Sequence, residues 1–162
     1  MSARVDRLRE AMASKGLDGL LVTKPENRLY LCGFSGSEGV LLVTEANCLL
    51  VVDGRYTEQA LREAPQCQVV EARADLLSAA AARAGGVRRL GFESQHLTCE
   101  AHARLQAVLG ERMQPCPGLV EGLRQVKDEG ELELVRGALE AGERAFLRLQ
   151  RWVREGVCER RV

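Results

Sequence analysis

Apolar positions in this chain change period repeatedly, and each change marks an element. From Ala3 to Met12, Val5, Leu8 and Met12 recur at helical spacing among Arg and Glu side chains, and Gly16 supplies the stop. Leu17–Thr23 holds the strand-length run Leu20-Leu21-Val22 ahead of Pro25. Pro25–Phe34 reads as a short helix, opened by Pro25 in its first turn and closed at Gly33. Two β-rich runs, Val40–Thr44 and Cys48–Val52, flank Glu45-Ala46-Asn47 and predict an antiparallel hairpin. Gly54–Ala64 then reads as a helix ended by Pro65, Cys67–Val70 as a strand, and Asp75–Ala84 as a helix stopped by Gly85-Gly86. Arg89–Phe92 is a further strand. Thr98–Leu109 is a helix capped by Thr98, with Leu105, Val108 and Leu109 facing inward and Gly110 as its stop.

Alternation of this kind predicts an α/β fold: a three-layer sandwich on a mixed, mostly parallel sheet with one antiparallel hairpin. Pro115-Cys116-Pro117-Gly118 looks like a boundary, which assigns residues 1–118 to one domain and 119–162 to a separate piece. In that piece a long C-terminal helix runs from about Asp128 to Glu155. Leu132, Val135, Leu139, Gly142, Phe146, Leu149 and Val153 alternate three and four apart along it, on one stripe. Acidic residues crowd its start and Arg148, Arg151 and Arg154 its end, both favourable to the helix dipole. Such a stripe needs a cover, and the sequence leads us to expect a second copy or the chain's own domain. With Val162 so soon after Gly156, the chain reads as one cut short before a further domain.

Composition narrows the function classes. The 162 residues carry 23 Lys+Arg against 23 Asp+Glu, without the basic surplus or stripe of a nucleic-acid binder. The apolar runs are strand-sized, and charges interrupt the N-terminus, so neither a membrane span nor an export signal is expected. Six scattered cysteines, with no C-x-x-C pair, read as reduced thiols of a cytoplasmic protein.

Candidate chemistry is sparse. His96 and His102 are six apart, not at the spacing of a helical metal pair, and no metal site is expected. Gly33-Phe34-Ser35-Gly36-Ser37-Glu38-Gly39 lacks a Walker ending, and a strand follows it where a nucleotide loop needs a helix. As a tight turn into the hairpin its glycines need no ligand. Asp53 sits between a strand and a helix, where its carboxylate can accept first-turn amides, and Gly54 allows the change of direction. Arg55 then projects near the C-terminal end of a strand, the usual ligand edge of α/β folds, either as a surface ion pair above Tyr56 or as a ligand contact.

Asn27-Arg28-Leu29-Tyr30-Leu31-Cys32-Gly33-Phe34-Ser35-Gly36-Ser37-Glu38-Gly39, then Val51-Val52-Asp53-Gly54-Arg55-Tyr56 with Gln59-Ala60, resembles the N-terminal domain of the creatinase/prolidase/Xaa-Pro aminopeptidase family. Gly33, Phe34, Gly36, Ser37, Gly39, Asp53, Gly54 and Tyr56 are its motif positions here. Leu123-Arg124-Gln125-Val126-Lys127-Asp128 with Glu131-Leu132 resembles the family's linker and first catalytic-domain helix. Gly156-Val157-Cys158-Glu159 resembles the opening of the next helix, with Cys158 for the usual threonine, as Cys32 stands for a common Thr or Ser.

The resemblance implies an RNase H-like N-terminal domain without catalytic or metal-binding residues of its own. It implies a C-terminal pita-bread catalytic domain holding two divalent metals, manganese or cobalt, on two Asp, one His and two Glu that this chain lacks. It further implies a homodimer, a role in walling the active-site cleft for short proline-containing peptides, and Arg55 as a substrate-rim cation. Two other functions remain open at this point: an independent α/β ligand-binding module, and the N-terminal domain of a creatinase-like hydrolase that is not a peptidase.

Overall fold

A computed structural model describes residues 3–73, 75–158 and 160. Its centre is a six-stranded sheet built from β1 (Gly19–Val22), β2 (Val40–Thr44), β3 (Cys48–Val52), β4 (Gln68–Glu71), β5 (Leu90–Phe92) and β6 (Met113–Pro115), in the order β4-β3-β2-β1-β5-β6. The parallel pairs are β1 with β5, β5 with β6, and β3 with β4. β2 runs against both its neighbours, with Leu21 opposite Leu42 and Leu41 opposite Leu50. Five strands therefore point the same way and only β2 is reversed. The antiparallel part is wider than the expected hairpin, because β2 also pairs with β1.

Both faces of the sheet are covered. Leu20, Val22, Leu41, Val43, Leu50 and Val52 point to one side, where they meet Val5, Leu8 and Met12 of α1 (Ala3–Ser14), α2 (Pro25–Cys32) and Ala60 of α3 (Thr57–Glu63). Leu21, Val40, Leu42, Leu49 and Val51 point to the other, against Leu77 and Ala80 of α4 (Leu76–Ala82) and Leu105 of α5 (Cys99–Leu109). Two buried faces explain why the central strands read as unbroken apolar runs. In α5 the buried stripe is Ala101, Leu105 and Leu109, every fourth residue; Val108 lies outside it and is exposed, contrary to expectation.

Two further elements complete the unit beyond those expected from the sequence. β6 has only three residues, two of them Gln114 and Pro115, and carries no apolar pattern. The other is α6 (Leu119–Gln125), which begins directly after the Pro/Gly stretch. Leu119 and Val120 are buried in the first core, so the compact unit runs to Arg124 and not to residue 118.

Residues 125–162 form a second unit. It contains α7 (Glu129–Gln150), opened by a reciprocal cap in which Asp128 accepts from the Glu131 amide and Glu131 accepts from the Asp128 amide. None of the α7 residues is buried, and Leu139 is 71% and Phe146 60% exposed. Glu159, the end of the Gly156–Glu159 motif, lies outside the described residues.

Candidate functional site

The shared direction of five strands brings their C-terminal ends to one edge of the sheet, followed there by Thr23, Asp53, Ala72, Glu93 and Cys116. Open α/β sheets bind ligands along this edge. The chain's buried polar chemistry gathers there too: among the described residues the buried polar side chains are Asn27, Arg28 and Glu93.

Arg28 lies on the inward face of α2, one helical turn before Leu31 and Cys32, and is 2% exposed. Its guanidinium donates to the carbonyls of Thr23 at 3.0 Å, Gly36 at 2.7 Å, Ser37 at 3.2 Å and Gly39 at 2.6 Å. One side chain thus ties down the loop between α2 and β2. The loop's carbonyls turn inward to the cation, so it does not present a ring of amides to a phosphate. Burial pulls the Arg28 pKa down from its ordinary value, though an arginine stays charged in a protein.

The loop glycines have distinct tasks. Gly33 closes α2 at φ 79°, donating its amide to the Leu29 carbonyl at 2.8 Å. Gly36 packs on the Phe34 ring, where an added Cβ would come within 2.3 Å of a ring carbon. Phe34 is fully buried and meets Tyr56 edge to face, with centroids 6.1 Å apart. The Tyr56 hydroxyl and Ser37 Oγ share a hydrogen bond of 2.7 Å, and Gly39 leads straight into β2.

Asp53 does not cap α3. The helix starts four residues later at Thr57, and Asp53 instead organises a turn closed by the Tyr56 amide donating to its carbonyl at 3.0 Å. Its carboxylate accepts from the Arg55 amide at 2.9 Å and from Arg55 Nε at 3.1 Å and NH2 at 2.7 Å. Hydrogen bonding to Arg55 holds the Asp53 carboxyl below the usual carboxylate range. Arg55 itself, with a side chain 72% exposed, stands over the Tyr56 ring at 5.4 Å. Arg55 is thus ion-paired with Asp53 after β3, at the C-terminal edge of the sheet.

On the other side of Arg28, Glu93 follows β5 and accepts from the Thr23 and Lys24 amides at 2.6 and 2.8 Å and from Asn27 Nδ2 at 2.6 Å. Asn27 Nδ2 also donates to Glu121 at 3.0 Å, and Asn27 Oδ1 accepts from Arg124 at 2.9 Å. Burial pushes the Glu121 carboxyl up, but hydrogen bonds from Lys24 and Asn27 outweigh it and leave the group below its ordinary range. His96 shares a hydrogen bond with the Thr23 hydroxyl at 3.1 Å, while His102 packs on Phe92, so the two histidines serve different partners. A groove of about 350 Å³ opens between these groups, lined in part by Thr23, Arg28, Ser37, Glu38, Asp75 and His96.

The sequence puts Arg55 near the C-terminal end of a strand and the glycine stretch as a turn into the hairpin, but does not show Arg28, Asn27 and Glu93 as the anchors of this edge. The available signal was position: Arg28 shares a helical face with Leu31 and Cys32, and Glu93 directly follows an apolar strand.

Comparison with known proteins gives this arrangement a context. The chain is 29% identical over 159 residues to the peptidase YqhT of Bacillus subtilis, covering 96% of this chain and 45% of that one. Among solved structures, the Xaa-Pro dipeptidase from Bacillus anthracis superposes with a TM-score of 0.91 at 30% identity, over 96% of this chain and 44% of that one. The N-terminal domain of the cytoplasmic peptidase PepQ from Mycobacterium tuberculosis superposes with a TM-score of 0.71 at 40% identity, over 76% of this chain and 99% of that domain. The chain thus spans less than half the length of the curated relatives it matches. Residues 4–126 match the family model of the Creatinase/Prolidase N-terminal domain, and the chain belongs to that family.

Proposed function

We propose that this chain is the non-catalytic N-terminal domain of a proline-specific metallopeptidase, an Xaa-Pro aminopeptidase or prolidase. In this reading it helps build a homodimer and walls the cleft of a C-terminal catalytic domain, restricting entry to short Xaa-Pro peptides. The observation that carries the proposal is coverage: nearly the whole chain aligns with less than half of an Xaa-Pro dipeptidase. The chemistry of the edge agrees, since Arg28, Asn27 and Glu93 spend their hydrogen bonds on holding loops.

The two divalent metals, manganese or cobalt, belong in this proposal to the catalytic domain. Among the described residues no three His, Cys, Asp or Glu side chains gather as a metal site. The uncovered stripe of α7, with Val135, Leu139 and Phe146 exposed, fits a helix made to lie against that second domain. The M. tuberculosis relative is described as cytoplasmic, and the same location is proposed here.

The test begins with the 162-residue protein assayed on Xaa-Pro dipeptides and tripeptides with manganese. No turnover is expected, and hydrolysis by this chain alone would overturn the proposal. With the catalytic domain attached, activity should appear, and Arg55→Ala should raise KM about five-fold at constant kcat, as loss of a rim contact would. An unchanged KM reduces Arg55 to the ion pair with Asp53.

A further inference from the structure

Cysteines stand near one another at the end of the sheet away from the candidate site. Cys32 ends α2, Cys48 opens β3, and Cys67 immediately precedes β4. Pairing of β3 with β4 begins at Leu49 opposite Gln68, so Cys48 and Cys67 stand one step ahead on neighbouring strands. Their sulfurs are 2.9 Å apart. Cys32 lies close by, its carbonyl accepting from Gln66 Nε2 at 2.8 Å, while its thiol donates to the Arg28 carbonyl at 3.2 Å.

Adjacent strands lie about 5 Å apart, inside the roughly 4.4–6.8 Å between Cα atoms that a disulfide spans. Because the bond itself is about 2.05 Å long, closure needs the sulfurs to approach by only roughly 1 Å. Cys48 is half-buried and open to a small oxidant, whereas Cys32 and Cys67 are buried behind it.

We propose that Cys48 and Cys67 form an oxidation site at which hydrogen peroxide produces a disulfide. The Cys48 thiolate attacks the peroxide, breaking the O–O bond; the Cys48 proton and the leaving oxygen depart as water, and Cys48 becomes a sulfenic acid. Cys67 then attacks the Cys48 sulfur, expelling hydroxide, which takes the Cys67 proton and leaves as a second water. Two thiols are oxidised and one peroxide is reduced. Hydrogen bonding with Cys67 holds Cys48 below the usual thiol range, which favours the thiolate on the sulfur that meets the peroxide. The closed loop, residues 48–67, contains Asp53, Arg55, Tyr56 and α3, so oxidation ties down the segment that forms the rim.

The experiment uses the full chain carrying Cys99→Ser and Cys158→Ser, treated with hydrogen peroxide, alkylated, digested and mapped by mass spectrometry. A cross-link joining the Cys48 and Cys67 peptides, lighter by two hydrogen atoms and reversed by dithiothreitol, is expected. Recovery of Cys48 and Cys67 as separately alkylated or overoxidised peptides would overturn the proposal, as would a cross-link joining Cys32 to Cys48. In the further variant Cys48→Ser, shown to be folded by circular dichroism, no disulfide at Cys67 is expected, and one formed there would overturn Cys48 as the residue the peroxide meets. The first measurement changes no core residue, so it stands even if that variant misfolds.

Discussion

Arg28 shows how much one residue does here. Four carbonyls from two loops converge on its guanidinium, beneath which Phe34 lies 5.6 Å from the charge. Replacing it with Lys keeps the charge but loses the planar fork, so most of those carbonyls lose their donor in a buried site. Arg28→Lys is expected to cost about 3 kcal/mol and Arg28→Ala at least as much, measured by urea denaturation. A loss under about 0.5 kcal/mol, the size of an ordinary surface change, would mean that the loop holds itself. This residue was legible in the sequence only as part of a motif. Its helical phase marks it as inward-facing, but its acceptors are backbone carbonyls, which no side-chain pattern displays.

Element ends were legible where local chemistry decides them. Thr98 caps α5, accepting from the Ala101 amide at 3.2 Å, as the sequence leads one to expect. At Asp53 the same reasoning misplaced a cap, because the turn through Arg55 takes up that carboxylate before the helix begins. Asp75 does cap α4, accepting the Ser78 amide at 2.9 Å and its hydroxyl. Hydrogen bonding from Ser78 keeps the Asp75 carboxyl below its ordinary range. A folded pKa below the unfolded one stabilises the ionised cap above the unfolded value near about 3.9, and that stability is lost as pH falls through the folded value. Asp75→Ala should cost about 1 kcal/mol at pH 7, while Asp75→Asn keeps an uncharged cap. Any advantage of the wild type over Asp75→Asn should shrink between about pH 5 and pH 3 in denaturation midpoints. An advantage that grows on acidification would contradict a charged cap.

At the scale of the molecule, the buried core residues among the described ones run from Val5 to Val120, and none lies on α7. Residues 1–126 are therefore expected to fold alone, with a Tm within about 3 °C of the full chain in calorimetry, since under 1 kcal/mol of core packing is removed. A fall of 10 °C or more would show that residues 127–162 stabilise the first unit. Apolar periodicity along the chain was sufficient to dictate strands, helices and the α/β class, because period and capping act over a few neighbouring residues. The place of β6, the extent of the first unit through α6, and the polar centre depended on contacts over long separations. Asn27 reaches Glu93 across 66 positions and Arg124 across 97. Such partners are chosen by which strand ends the sheet order brings together, and that order is a property of the packed fold.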